Sequence, residues 1–230
     1  ITSSLNLDLT LNPDFSNVDV DQQITNLTRF ALFFPERRGF FLENSDLFTS
    51  FGKEDINPFF SRRIGLANGQ PIPIQYGARI SGNLSEKLRV GVMDVQTGKT
   101  DEVNAQNYFV SSLSQRIGKR STLDALIVNR QRTTQTSDST QAAYNRVVAM
   151  EYNFLDQTGK WSANMGIHKS INPGEFDEEQ YYTATVRFNN KNILTRLSGD
   201  KVGENYITDV GFVPRLNNFD AQNEIFVKLG

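Results

Sequence analysis

From Pro73 onward the chain alternates apolar and polar residues with a period of two, the spacing that puts neighbouring side chains on opposite faces of a β-strand. In Ile74–Ser81 one parity holds Ile74, Tyr76, Ala78 and Ile80, and the other Gln75, Gly77, Arg79 and Ser81. The same sorting sets Leu88 and Val90 against Arg89 and Gly91, and Phe109, Leu113 and Ile117 against Tyr108, Ser112 and Arg116. It sets Leu123, Ala125 and Ile127 against Asp124 and Arg130, and Met150, Tyr152 and Phe154 against Ala149, Glu151 and Asn153. Trp161, Ala163, Met165 and Ile167 oppose Ser162, Asn164, Gly166 and His168, and Tyr182, Ala184, Val186 and Phe188 oppose Tyr181, Thr183, Thr185 and Arg187. Two places depart from the pattern. Leu126 and Val128 are apolar on the polar parity, and Met93-Asp94-Val95 breaks parity in a way that reads as a β-bulge.

Short polar turns are predicted at Asn83–Lys87, Ile117–Ser121, Asp156–Lys160 and Asn189–Asn192, and longer polar loops at Thr97–Gln106, Gln131–Ala143 and Lys169–Gln180. Turns on one side and loops on the other are the layout of an up-and-down barrel of the outer-membrane type. The intervening strands run about 9 to 11 residues, enough to cross a bilayer at a tilt, and several carry aromatics near their ends (Tyr76, Tyr152, Phe154, Trp161, Tyr182, Phe188). The predicted fold is therefore all-β: an antiparallel up-and-down, outer-membrane-type β-barrel or part-barrel. The alternative from the same pattern is a soluble β-protein whose apolar parity is an ordinary core.

The N-terminal third reads differently. Leu5–Leu11 alternates strictly and Asn12-Pro13-Asp14 ends it. Asn26–Phe34 is expected to be a short helix ending before Pro35, and Pro35–Asn44 a second one with proline in its first turn. The stretch to Gly69 mixes aromatics with Arg37-Arg38 and Arg62-Arg63, too aromatic for a solvated linker. The expected organisation is a strand segment over 1–21, a helical or irregular plug or cap over 22–72, and barrel-wall hairpins over 73–230. No secretory leader is visible at Ile1-Thr2-Ser3-Ser4, and Glu224–Gly230 reads as a strand stopping short of its turn, so a mature chain or a section of a longer one is expected.

Composition narrows the chemistry. A formal charge of -2 gives no bulk attraction to nucleic acid, and no sustained basic–aromatic pattern appears. With no cysteine and one histidine, thiolate and multi-histidine metal sites are excluded. No run of about 18 apolar residues marks a membrane helix, a test to which barrel strands are blind.

The blocks Asn12–Gln23, Asn26–Phe30, Phe33–Asn44 and Phe60–Gly65, with Gly211-Phe212-Val213-Pro214-Arg215 further on, resemble a domain-of-unknown-function family of Gram-negative envelopes. Its members are typically long outer-membrane-type barrels, often preceded by a family 9 carbohydrate-binding domain. The resemblance implies a barrel in the bacterial outer membrane and no catalytic residue, and no cofactor is expected. Outer-membrane lipid is the implied partner, with carbohydrate or envelope proteins as further ones.

Several side-chain groups are candidates for function. Arg79, Arg89, Arg116, Arg130, Arg187 and Arg196, joined by Asp124 and Glu151, are expected to line a basic lumen that contacts anions, or to pair as a structural network. Glu36, Arg37, Arg38, Glu43, Arg62 and Arg63 are the expected plug contacts. Asp14, Asp19 and Asp21 offer oxygens to Ca²⁺, but lack EF-hand spacing and read as the wet face of a strand, so no metal is assigned. Glu36 and Glu43, seven apart, would share a face of a continuous helix and could serve an envelope glycoside hydrolase. His168 reads as a surface residue, Asp177-Glu178-Glu179 as a solvated run, and Trp161 as the sugar-stacking residue of a soluble carbohydrate-binding alternative. The function expected is that of a non-enzymatic barrel acting in transport or as an envelope scaffold.

Overall fold

A computed structural model describes residues 4–13, 35–53, 56–67, 70–101, 103–134, 142–174 and 176–227. The helix expected over 26–34 and the aspartates Asp14, Asp19 and Asp21 lie outside the described residues. The alternating segments form strands β1 (Leu5–Leu11), β4 (Ile74–Asn83), β5 (Leu88–Thr97), β6 (Gln106–Ile117), β7 (Ser121–Arg132), β8 (Tyr144–Leu155), β9 (Trp161–Ile171), β10 (Gln180–Asn189), β11 (Ile193–Val202) and β12 (Asn218–Val227). They make one ten-stranded antiparallel sheet in the order β1-β4-β5-β6-β7-β8-β9-β10-β11-β12. Consecutive strands are neighbours throughout. The sheet is not closed, and β1 and β12 are its edges. Between β1 and β4 come two single helical turns, α1 (Gly39–Leu42) and α2 (Asp46–Thr49), a 3-10 turn (Ser61–Arg63) and the minimal hairpin β2 (Leu66–Ala67) and β3 (Gln70–Pro71).

The two faces of the sheet sort as the sequence pattern predicts, and burial says which is which. Tyr76, Ile80, Phe109, Leu113, Ile127, Met150, Met165, Ile167 and Leu197 are exposed, while Arg79, Ser81, Asp124, Glu151, His168 and Thr183 are buried. The greasy face is bare and the mixed face is covered. What covers it is mainly the cap, 35–53 and 56–67, joined by Tyr206 and Val210 from the segment after β11. Phe41, Leu47, Phe48, Phe51, Ile56, Phe59 and Ile64 pack onto Met93, Val95, Val110, Leu126, Val128, Val147 and Ala149. Leu126 and Val128 are thus core residues, not flaws in the polar parity. Two glycines of the covered face make room for cap aromatics: a β-carbon at Gly91 would lie 2.6 Å from Phe48 Cζ, and one at Gly77 would lie 3.0 Å from Phe40 Cζ.

The bulge sits elsewhere than expected. Register runs unbroken through Met93, Asp94 and Val95, whereas Ile74 faces Thr97 and Tyr76 faces Gln96, leaving Gln75 as the extra residue. One inserted residue reverses parity, so Ile74 joins the covered core instead of the bare face. Met93 and Val95 are regular covered-face residues, and Asp94 is held on the other face by Asn107 Nδ2 at 3.1 and 3.2 Å. The second expected helix is also shorter, a single turn that excludes Pro35. The Glu36 carboxylate accepts from the N–H groups of Arg37 and Arg38, both at 3.0 Å, which diverts the donors a first helical turn would use. Asn44, with φ 48°, follows the turn in the left-handed region.

Candidate functional site

The covered face is built from strand-spaced polar side chains and closed by cap residues that reach it from far along the chain. Arg79 on β4 donates to Asp8 of β1 through Nη2 (2.8 Å) and Nε (3.2 Å), and Glu43 of the cap lies 3.7 Å from it. Asn6 Nδ2 donates to Glu43 at 2.6 Å, and Asn44 Nδ2 to the Ser81 hydroxyl at 3.1 Å. Arg89 on β5 meets Asp46 at 2.6 Å. Further across, the Gly52 N–H donates to Glu151 of β8 at 2.6 Å, and Lys53 pairs with Asp200 of β11. The cap is therefore tied to strands from one side of the sheet nearly to the other.

A second set of bonds holds the cap together. The Glu36 carboxylate takes Arg38 Nε (2.9 Å), Arg38 Nη2 (2.7 Å) and the Ser61 hydroxyl (2.8 Å). Arg38 also donates to the carbonyls of Ile64 (2.7 Å) and Ser61 (2.8 Å) and lies 4.3 Å over the Phe41 ring. Burial by itself raises the Glu36 carboxyl pKa, but the bonds and charge of Arg38, with the Ser61 hydroxyl, outweigh it and hold the group below its ordinary value. Arg62 donates to the Pro35 carbonyl at 2.8 Å, and Arg63 is exposed. Glu36 and Glu43 do not share a helix, since α1 covers only Gly39–Leu42. The pairing on one helical face that a two-carboxylate hydrolase was read from is thus absent.

At β8–β10 the covered face carries a buried polar chain. His168 Nε2 lies 2.8 Å from Glu151 Oε1, and its Nδ1 lies 3.3 Å from the Tyr206 hydroxyl. With Glu151 ionised, Nε2 donates to it and Nδ1 accepts from Tyr206. Burial pushes the Tyr206 phenol up, and Tyr181 and Glu151 add to the rise, so the hydroxyl stays a neutral donor. Asn164 Nδ2 donates to Glu151 Oε2 at 3.0 Å, which completes the carboxylate's partners. His168 is fully buried, against the surface position its sequence neighbour Lys169 suggested. Strand alternation carried the opposite signal, because His168 falls on the covered parity. Glu179 is likewise buried, while Asp177 and Glu178 are exposed.

The six arginines of the expected lumen differ in their surroundings. Arg79 and Arg130 are buried, the latter bonded to Asp209 at 2.5 Å, to Gln106 at 3.3 Å and to the Ala142 carbonyl at 3.1 Å. Arg89 is salt-bridged and half-exposed. Arg116 is exposed at the end of β6. Arg187 and Arg196 face each other across β10 and β11 and line a cavity of about 500 Å³ with Lys53, Arg120, Asn164 and Thr183. Sequence reasoning missed Lys53, Asp200 and Tyr206, whose partners are fixed only by the folded sheet.

The motif Gly211–Arg215 docks the cap through its backbone. Asn57 and Phe212 exchange N–H···O bonds of 2.8 Å each, and the Phe60 N–H donates to Val210 at 2.6 Å. A β-carbon at Gly211 would stand 2.2 Å from the Asn57 carbonyl oxygen, so the close approach needs glycine. Among the described residues no cluster of three or more metal-ligating side chains occurs. No curated protein and no solved structure matches the chain. Residues 1–80 of the 230, the segment that supplies β1 and the cap, match the family described as Domain of unknown function (DUF5916).

Proposed function

We propose that the chain forms wall of an outer-membrane-type β-barrel, with the cap docked inside it, and that it works in transport or as an envelope scaffold. The observation that carries this reading is the bare face. Large hydrophobic side chains stand exposed on every strand of the sheet, a continuous apolar face of the kind that soluble monomers rarely leave open. On that face the charged strand residues are Asp94, Arg146, Lys169 and Lys201, and each lies within three residues of the long-loop end of its strand. The rest of the face is free of charge, as hydrocarbon contact demands.

Dimensions and aromatic placement support the same occupant. Strands β4 to β12 have 10 to 12 residues. At about 3.3 Å per residue and the usual tilt near 40°, they project about 25–30 Å along a membrane normal, matching an apolar band of about 25 Å. Tyr76, Phe109, Tyr182 and Phe219 stand near the long-loop ends, and Tyr152, Phe154, Trp161 and Phe188 near the short-turn ends. Two aromatic rows with aliphatics between them suit two membrane interfaces. The polar and charged residues at the loop ends suit a rim standing clear of the bilayer.

The single tryptophan tests this reading, since Trp161 lies on the bare face, 4.7 Å from the Phe188 ring. In liposomes its fluorescence should be quenched by lipid-borne quenchers, more by one at headgroup depth than by one at the bilayer centre. A protein that stays monomeric in detergent-free buffer, with Trp161 indifferent to lipid quenchers, would overturn the proposal and favour the soluble carbohydrate-binding alternative.

A further inference from the structure

The cavity beside Lys53 carries a charge arrangement that the fold leaves unbalanced. Arg187 of β10 and Arg196 of β11 are register partners on the covered face, which brings their β-carbons within about 4.5–5.5 Å. Like charges placed directly opposite one another repel. Neither arginine is compensated in full. Arg187 is solvent-exposed at the mouth of the cavity and makes no ion pair with a described residue. Arg196 has Glu224 at 3.8 Å, while its Nε is buried and without an acceptor. A buried donor left unmade is costly and calls for an explanation.

The surroundings point the same way. Arg120 also lines the cavity, and its Nη1 reaches only the carbonyls of Asp156 (3.3 Å) and Gln157 (3.4 Å). Lys53 is taken by Asp200. None of the residues lining this cavity is an aspartate or a glutamate. Thr183, buried in its wall, has a hydroxyl with no partner. The cavity thus offers two facing guanidinium groups, a third nearby and an idle hydroxyl. That is the donor set that grips an oxyanion in bidentate fashion.

We propose that this cavity binds the phosphate group of a small phosphorylated solute. The anion would sit between Arg187 and Arg196, accept from Arg196 Nε and remove the repulsion across the strand pair. At about 500 Å³ the space exceeds a bare phosphate ion and admits a sugar-sized body, with the unpartnered Thr183 hydroxyl available to it on the wall. The proposal specifies what the interior of the proposed wall takes, and to that extent rests on that reading. The two fail separately, because lipid quenching of Trp161 reports the bare face and ligand binding reports the covered one.

The test is calorimetric titration of the full chain in detergent micelles at about 0.15 M salt, where diffuse charge attraction is screened beyond about 8 Å. Glucose 6-phosphate should bind saturably and glucose should not. Arg187→Gln and Arg196→Gln should each weaken binding at least tenfold, while Arg116→Gln, on an exposed arginine away from the cavity, leaves it unchanged. A melting experiment guards against misfolded variants: each cavity variant should melt no lower than the parent without ligand, and glucose 6-phosphate should raise the parent Tm alone. Absence of saturable binding, or equal weakening by Arg116→Gln, would overturn the proposal.

Discussion

Glu36 shows how much one side chain organises. Its carboxylate gathers two backbone N–H groups, the Arg38 fork and the Ser61 hydroxyl, and so closes the strand-like entry of the cap onto the 3-10 turn. Because the folded pKa is lowered from 4.5, the contribution is complete above that value and is lost as the pH falls through the lowered one. Unfolding measured across the acid range should therefore show a loss of stability that Glu36→Gln flattens. The variant should be the less stable protein at neutral pH and should differ little from the parent in strong acid. Ordinary reading of the sequence caught the grouping of acidic and basic residues here but not its use, since the partner Ser61 lies 25 positions away.

At the scale of elements, the cap and the sheet are made for each other by size. Gly77 and Gly91 fall on the covered parity of β4 and β5, where Phe40 and Phe48 approach too closely for a side chain. Gly91→Val should displace Phe48 and cost about 1–3 kcal/mol by overpacking. Denaturant unfolding would read the cost, and faster proteolysis within 35–67 would show that the cap has loosened. Unchanged proteolysis with unchanged stability would mean that Phe48 does not anchor the cap. Helices of four residues cannot hold themselves together, so α1 and α2 owe their shape to this packing, to the bond from Asp46 of α2 to β5, and to the bonds by which the flanking residues Asn44, Gly52 and Lys53 reach β4, β8 and β11.

For the whole molecule, the bare face is the feature that any function must accommodate. Met150 sits midway along β8 and is half exposed. In water, Met150→Arg would cost almost nothing, because a surface position tolerates charge. Against hydrocarbon near the bilayer midplane it should cost about 2–4 kcal/mol. Comparing the variant's stability in liposomes with that of the parent separates the two environments, and a neutral result in lipid would count against the proposed wall. The edges β1 and β12 pose the matching requirement for backbone groups, which a membrane does not leave unpaired.

The hairpin order, the strand limits and the greasy face of β4 to β10 were legible in the residues because they depend on local rules: a period of two and turns with polar residues and glycine. Tertiary structure decided what lies farther apart. It turned Ile74 inward through a one-residue bulge and buried His168 against Glu151. It also joined Gly52 to Glu151 across 99 residues and Lys53 to Asp200 across 147. No local pattern encodes such pairings, because the energy that selects them comes from desolvating charges and rings together once the cap has met the sheet.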